Sequence, residues 1–119
     1  PLLPIRKGEI KILHQIYFDF DSAELKSESA GEIAQLFQMM SENLQMQILI
    51  TGHTDSQGTA DYNTILSRKR AESIRQGLVN RGIQASRIKC LGAGSSEPIA
   101  ENSTEKGRSQ NRRTEIRIL

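Results

Sequence analysis

A chain of 119 residues is the size of one domain and is long enough for a two-layer core. Hydrophobic residues at 36% and charged residues at 25% exclude a disordered polymer, and no apolar run approaches the roughly 18 residues of a membrane-spanning helix. The formal charge of +2 conceals an asymmetry: residues 1–60 hold 4 Lys/Arg against 8 Asp/Glu, whereas residues 61–119 hold 12 against 6.

Six excess cations spread over the second half read as a solvated surface rather than a polyanion site. The absence of tryptophan counts against a carbohydrate-stacking site. Cys90 is the only cysteine, which leaves no internal disulfide and no zinc set. It falls in Ile88-Lys89-Cys90-Leu91, where a small core hydrophobe is expected. The opening at Pro1 is read as a cut from a longer chain, so membrane attachment is expected only through an upstream region.

In chain order, residues 1–15 carry Pro1, Pro4 and Gly8, then Ile10, Ile12 and His14 in alternation. They predict an entry arm (1–11) with a short edge strand, His14 being an exposed edge residue. Ile16, Phe18 and Phe20 repeat at period two and predict a strand. Ser29 and Glu32 have capping-box spacing, with Ser27 an alternative cap, and Ile33, Leu36, Phe37, Met40 and Leu44 form one stripe, predicting a helix over 28–43. Met46, Ile48 and Ile50 alternate into a second strand ending at Gly52. A second helix opens with Asp61 as cap, faces inward through Leu66, Ala71, Ile74 and Leu78, and stops at Gly82. A third strand is expected over 87–91. Gly92 to Pro98 is a turn-rich loop, a short helix is expected from Asn102 or Ser103 to before Asn111, and Thr114, Ile116 and Ile118 alternate into a last strand.

This order predicts an α+β fold, a two-layer α/β sandwich of β-α-β-α-β-β form with a mixed sheet and two main helices on one face. Right-handed crossovers make the first three strands largely parallel.

The chemistry concentrates in Ile50 to Ala71, a strand, a polar turn and a helix with the basic triplet Arg68, Lys69 and Arg70. Asp55 stands in the loop at the strand end, beside a helix N-terminus. Arg70, about two and a half turns along, leans back toward the same cleft. One carboxylate, one guanidinium and free backbone N–H groups suit the zwitterionic head of an amino acid. Blander readings stand beside it: Asp-Ser-Gln-Gly is ordinary turn chemistry, and Arg70 could be a solvated cation or a structural partner of Asp55. His53 with Asp55 invites a hydrolase or metal reading, but a third ligand and a nucleophile–base set are missing, so His53 is expected to be a local hydrogen-bonding residue. An RNA-binding module is the other alternative, and it lacks the aromatic sheet positions that such a module uses.

Four blocks, GHTDSQGTADYN (Gly52–Asn63), LSRKRA (Leu66–Ala71), GAGSSEP (Gly92–Pro98) and NRRTEI (Asn111–Ile116), occur in register over residues 12–119. They resemble the signatures of the OmpA-like domain of OmpA C-terminal regions, peptidoglycan-associated lipoproteins and MotB-type stators. The resemblance implies a non-catalytic, cofactor-free module of the periplasm that binds the diaminopimelate of the peptidoglycan stem and anchors an outer-membrane or envelope protein, with no nucleic acid and no metal. It implies that Asp55 holds the ammonium and Arg70 the carboxylate, with Thr54, Asn63, Leu66 and Ser67 lining the pocket. Asp21 stands where the family commonly has asparagine, and a second carboxylate there would attract the ammonium and repel the carboxylate. Arg112 and Arg113 match the family's arginine pair, at least one bracing the loops.

Overall fold

The computed structural model describes residues 7–13, 18 and 22–119. Its elements are β1 (Ile10–Leu13), α1 (Ala30–Glu42), β2 (Ile48–His53), α2 (Ala60–Asn80), β3 (Ile88–Gly94), α3 (Glu105–Asn111) and β4 (Thr114–Ile118), with 3-10 turns at Ser27–Ser29 and Ala85–Arg87. The strands form one mixed sheet in the order β1-β4-β2-β3. β2 and β3 are parallel neighbours, and β4 runs antiparallel to both β2 and β1. The fold is therefore α+β, as the alternation of periods predicts.

The last strand inserts between the first and second, so β1 runs in the direction of β2 without touching it. Local pattern carries no information about that insertion. Ile10, in the expected entry arm, already pairs with Arg117 on the edge strand. The strand expected at Ile16, Phe18 and Phe20 lies outside the described residues except for Phe18, which makes an isolated antiparallel bridge with Leu25. His14 and Asp21 also lie outside them.

Alternation places Ile48 and Ile50 of β2, and Ile116 and Ile118 of β4, against the helices, where each is at most 2% exposed. α1 adds Ile33, Leu36 and Met40 to this cluster, and α2 adds Ala71, Ile74 and Leu78. Leu44, assigned to the α1 stripe by spacing, is 75% exposed because the helix ends at Glu42. The Ser29–Glu32 capping box is also absent: Ser29 continues from a 3-10 turn with helical φ and ψ and makes no side-chain cap bond. α2 begins one residue before the expected Asp61 cap. Thr59, with an extended backbone, accepts the Tyr62 N–H on its hydroxyl at 3.2 Å. Its far end is a Schellman motif around Gly82 (φ +115°): Gly82 N–H donates to Val79 O at 3.0 Å and Ile83 N–H to Leu78 O at 3.1 Å. The short α3 starts slightly later than expected, behind the cap Thr104, and includes Asn111.

Cys90 is half-buried and packs against the core on the α2 side of β3. Burial pushes its thiol pKa up, with Arg75 opposing.

Arg87 locks α1 onto the β2–β3 layer. Its guanidinium donates to Met40 O (2.9 Å), Asn43 O (2.8 Å) and Met46 O (2.9 Å), carbonyls at the C-terminal end of α1 and the approach to β2. Arg87→Ala is expected to destabilise the domain by about 2–3 kcal/mol, since three part-buried carbonyls lose a charged donor. Urea unfolding should show a lowered midpoint with an unchanged m-value.

Candidate functional site

The parallel strands β2 and β3 end side by side, and the chain leaving them is pinned before it reaches the site. His53 N–H donates to Arg113 O (2.9 Å) and Thr54 N–H to Gly94 O (2.8 Å). Asp55 then folds into an Asx turn, its Oδ1 accepting the Gln57 N–H at 3.0 Å. Asn63, buried in the first turn of α2, donates to Gln57 O at 2.8 Å and braces the loop from below. Thr54 closes on Asp55 O through its hydroxyl at 2.9 Å. Ser67 joins α2 to β3: its hydroxyl accepts the Gly94 N–H at 3.0 Å and donates to Thr64 O at 2.9 Å.

These elements surround a cleft of about 980 Å³ lined by Asp55, Thr54, Asn63, Leu66, Ser67 and Arg70, together with Phe18, Tyr62 and Arg112. Six of the seven residues singled out in the sequence thus share one cavity, and the seventh, Asp21, lies outside the described residues. Leu66, expected in the core, is half-buried and faces the cleft.

The charge arrangement differs from the expected one. Asp55 is 6% exposed, and its ion pair is with Arg112, Nη1 to Oδ2 at 2.7 Å, rather than with Arg70. Arg112 also makes a two-pronged contact with Glu105 at 3.2 and 2.8 Å. Glu105 first, and Asp55 after it, raise the Arg112 pKa above its ordinary value, and the same guanidinium lowers that of Glu105. Arg70 is fixed from another side: Nε donates to Ser22 O at 2.9 Å, and the guanidinium lies 4.9 Å from the centre of the Phe18 ring. The free helix N-terminus invoked for ligand binding is partly used internally, because Thr59 takes the Tyr62 N–H.

Of the arginine pair, Arg113 is the brace. It bonds Glu115 at 2.7 Å and Glu97 O at 3.0 Å, and the wholly buried Asn111 beside it holds the 99–102 loop through Ile99 N–H, Ala100 N–H and Ala100 O. Sequence reasoning missed Glu105 and the Arg112–Asp55 contact. A usable signal existed in the period-two alternation of Thr114, Ile116 and Ile118, which extended backwards puts Arg112 on the helix side and Arg113 on the other.

His53 is not the hydrogen-bonding residue expected. It is 4% exposed, and among the described residues neither ring nitrogen has a hydrogen-bond partner. Nε2 stands 3.6 Å from Glu115, whose carboxylate is already committed to Arg113. Burial, then Arg113, lower its pKa, with Glu115 and Glu97 opposing. No group of three potential metal-ligating side chains is found among the described residues.

The model of the OmpA family matches residues 17–112. The chain belongs to that family. It is 38% identical over 109 residues to Outer membrane porin F of Pseudomonas fluorescens, covering 92% of the chain and 33% of the relative. It therefore spans about a third of that OmpA-family protein's length. Among solved structures, the peptidoglycan-associated lipoprotein of Burkholderia pseudomallei superposes with a TM-score of 0.80 at 34% identity, over 87% of this chain and 88% of that one. The cell wall anchor of the T6SS from Pseudomonas aeruginosa gives 0.75 at 30% identity, over 86% and 73%. These OmpA-type relatives are outer-membrane and cell-wall-associated proteins by name, and no helix among the described residues is long and apolar enough to cross a membrane.

The buried imidazole makes stability pH-dependent with a definite sign. A histidine whose pKa is lower folded than unfolded binds more protons when unfolded, so its contribution is fully present above the ordinary value of 6.5 and is lost as pH falls below it. His53→Phe, which keeps a flat ring and gives up only the 3.6 Å contact with Glu115, should flatten the stability profile below pH 6.5 and cost less than about 1 kcal/mol at pH 7.5. Denaturant melts at a series of pH values would check both.

Proposed function

We propose that this domain anchors its parent protein to the cell wall, in the periplasm, by non-catalytic binding of the diaminopimelate of peptidoglycan stem peptides. The observation that carries the reading is the placement of Asp55 and Arg70 on the wall of one cleft, each held by contacts that set its direction. The ammonium and carboxylate on the far carbon of diaminopimelate form a compact zwitterion. Asp55 takes the ammonium and Arg70 the carboxylate, with Thr54, Asn63, Leu66 and Ser67 shaping the walls. The relatives whose names refer to peptidoglycan and to the cell wall support the same partner.

Hydrolysis finds less support. Both nitrogens of His53 are buried without hydrogen bonds and Asp55 is paired with Arg112, so these two side chains do not form a general-base pair.

Lysine-type stems lack the carboxylate on that carbon. They therefore offer Arg70 no charge-assisted bond, whereas the diaminopimelate carboxylate does. Stem peptides with diaminopimelate are expected to bind in the micromolar to millimolar range, and lysine-type stems more weakly. Asp55→Ala and Arg70→Ala should each lose about tenfold to a hundredfold, the size of one charge-assisted contact, while keeping native circular dichroism. Calorimetric titration of the three proteins with both peptides is the test. Equal affinity for the two stems, or wild-type affinity in either variant, would remove the assignment.

A further inference from the structure

Both carboxylate oxygens of Asp55 are engaged, Oδ1 with the Gln57 N–H at 3.0 Å and Oδ2 with Arg112 at 2.7 Å, and the side chain is 8% exposed. An ammonium approaching from the cleft therefore meets a covered carboxylate. The movable part of the cover is Arg112, whose side chain is 38% exposed, because the Gln57 donor is backbone in a tight turn.

Arg112 is not held by Asp55 alone. Its Nη1 is shared between Asp55 at 2.7 Å and Glu105 at 3.2 Å, and its Nη2 belongs to Glu105 at 2.8 Å. Glu105 sits in the first turn of α3, behind the cap in which Gly107 N–H donates to the Thr104 hydroxyl at 3.0 Å. The carboxylate is thus carried on an ordered turn and meets both terminal nitrogens of the guanidinium, sharing Nη1 with Asp55. If Arg112 lets go of Asp55, one bond breaks and two remain.

Building on the anchoring reading above, we propose that Glu105 is a positioning residue for ligand capture: it keeps Arg112 when the ligand ammonium displaces that arginine from Asp55. The exchange swaps one cation for another at Asp55 and leaves no guanidinium without a carboxylate. Without Glu105, Asp55 is the one carboxylate left to Arg112 among the described residues, and the incoming ammonium must strip a guanidinium with no second carboxylate there. A neutral amide at position 105 offers one acceptor oxygen and no charge, so the arginine stays on Asp55.

Glu105→Gln should weaken the diaminopimelate stem peptide about twofold to fivefold, the size of a partly exposed ion pair, with a larger loss at low salt. Its thermal midpoint should stay close to that of wild type. In an Arg112→Gln background the same substitution should have no effect on affinity, because the residue through which it acts is gone. The four proteins of this cycle, with Asp55→Ala as control, are titrated calorimetrically with the purified peptide at two salt concentrations. The expected result is a salt-dependent Glu105 effect present with Arg112 and absent without it. Binding by wild type, loss in Asp55→Ala and no change in Glu105→Gln would overturn the relay while leaving the anchoring reading intact. An equal loss from Glu105→Gln in both backgrounds would overturn it in favour of a structural role. Failure of wild type itself to bind would remove the anchoring reading and the relay with it.

Discussion

The close approach of α2 to the ends of β2 and β3 is the constraint on which the cleft depends. A Cβ at Gly52 would overlap the Ser67 carbonyl, and one at Gly92 would overlap Thr64 O and the Arg68 backbone. With hydrogen atoms in those places, the helix backbone lies directly on the strand ends. Ser67 then reaches the Gly94 N–H, Asn63 reaches the carbonyl of Gln57, and Arg70 comes round to Ser22 and Phe18. The site is a consequence of helix–sheet packing more than of loop conformation. That is the economical arrangement, since rigid elements hold polar groups closer to a working geometry than loops do.

The same packing separates two electrostatic neighbourhoods that are adjacent in sequence. On the helix side, Asp55 and Arg112 line the cleft and Glu105 follows behind Arg112, so the three alternate in sign. On the other, Arg113, Glu115 and the Glu97 carbonyl form a tight brace against which His53 is buried. Neighbouring arginines serve opposite purposes because an extended chain directs consecutive side chains to opposite faces. Arg113 stabilises the route of the loop, and Arg112 stays partly solvated between two carboxylates.

Much of this was legible in the sequence, for identifiable reasons. Ile48 and Ile50, and Ile116 and Ile118, announce strands with one buried face, and Gly82 announces its own Schellman motif, because these depend on residues close together in the chain. The capping of α2 was misplaced because Thr59 and Asp61 are both good caps and the choice follows from how Gly58, at φ +89°, delivers the chain. Leu44 was misplaced since a stripe continues on paper after a helix has ended. The insertion of β4 between β1 and β2 was not legible, because strand order is decided by pairing over long separations. That Asp55 and Arg70 share one cleft was legible from charge, spacing and motif. The Glu105–Arg112 pair was not legible, because the two share a helix face at i and i+7 only if α3 runs through Asn111, and the helix was expected to stop earlier.

A covered carboxylate also explains how the cleft can discriminate on the anchoring reading. Asp55 is compensated before any ligand arrives, so a neutral group has nothing to offer in place of Arg112 and cannot displace it. A cation can, and one whose carbon also carries a carboxylate would offer Arg70 a charge-assisted bond at the same time. Selectivity then comes from the requirement that both exchanges occur together. The net gain is small because each new contact replaces an old one or a solvated one, which is the general reason exposed ion pairs contribute little. Weak single contacts suit attachment to a polymer: many domains on one network hold firmly while each releases and rebinds. A site with an uncompensated buried carboxylate would bind more tightly per contact, at the cost of a destabilised fold whenever ligand is absent.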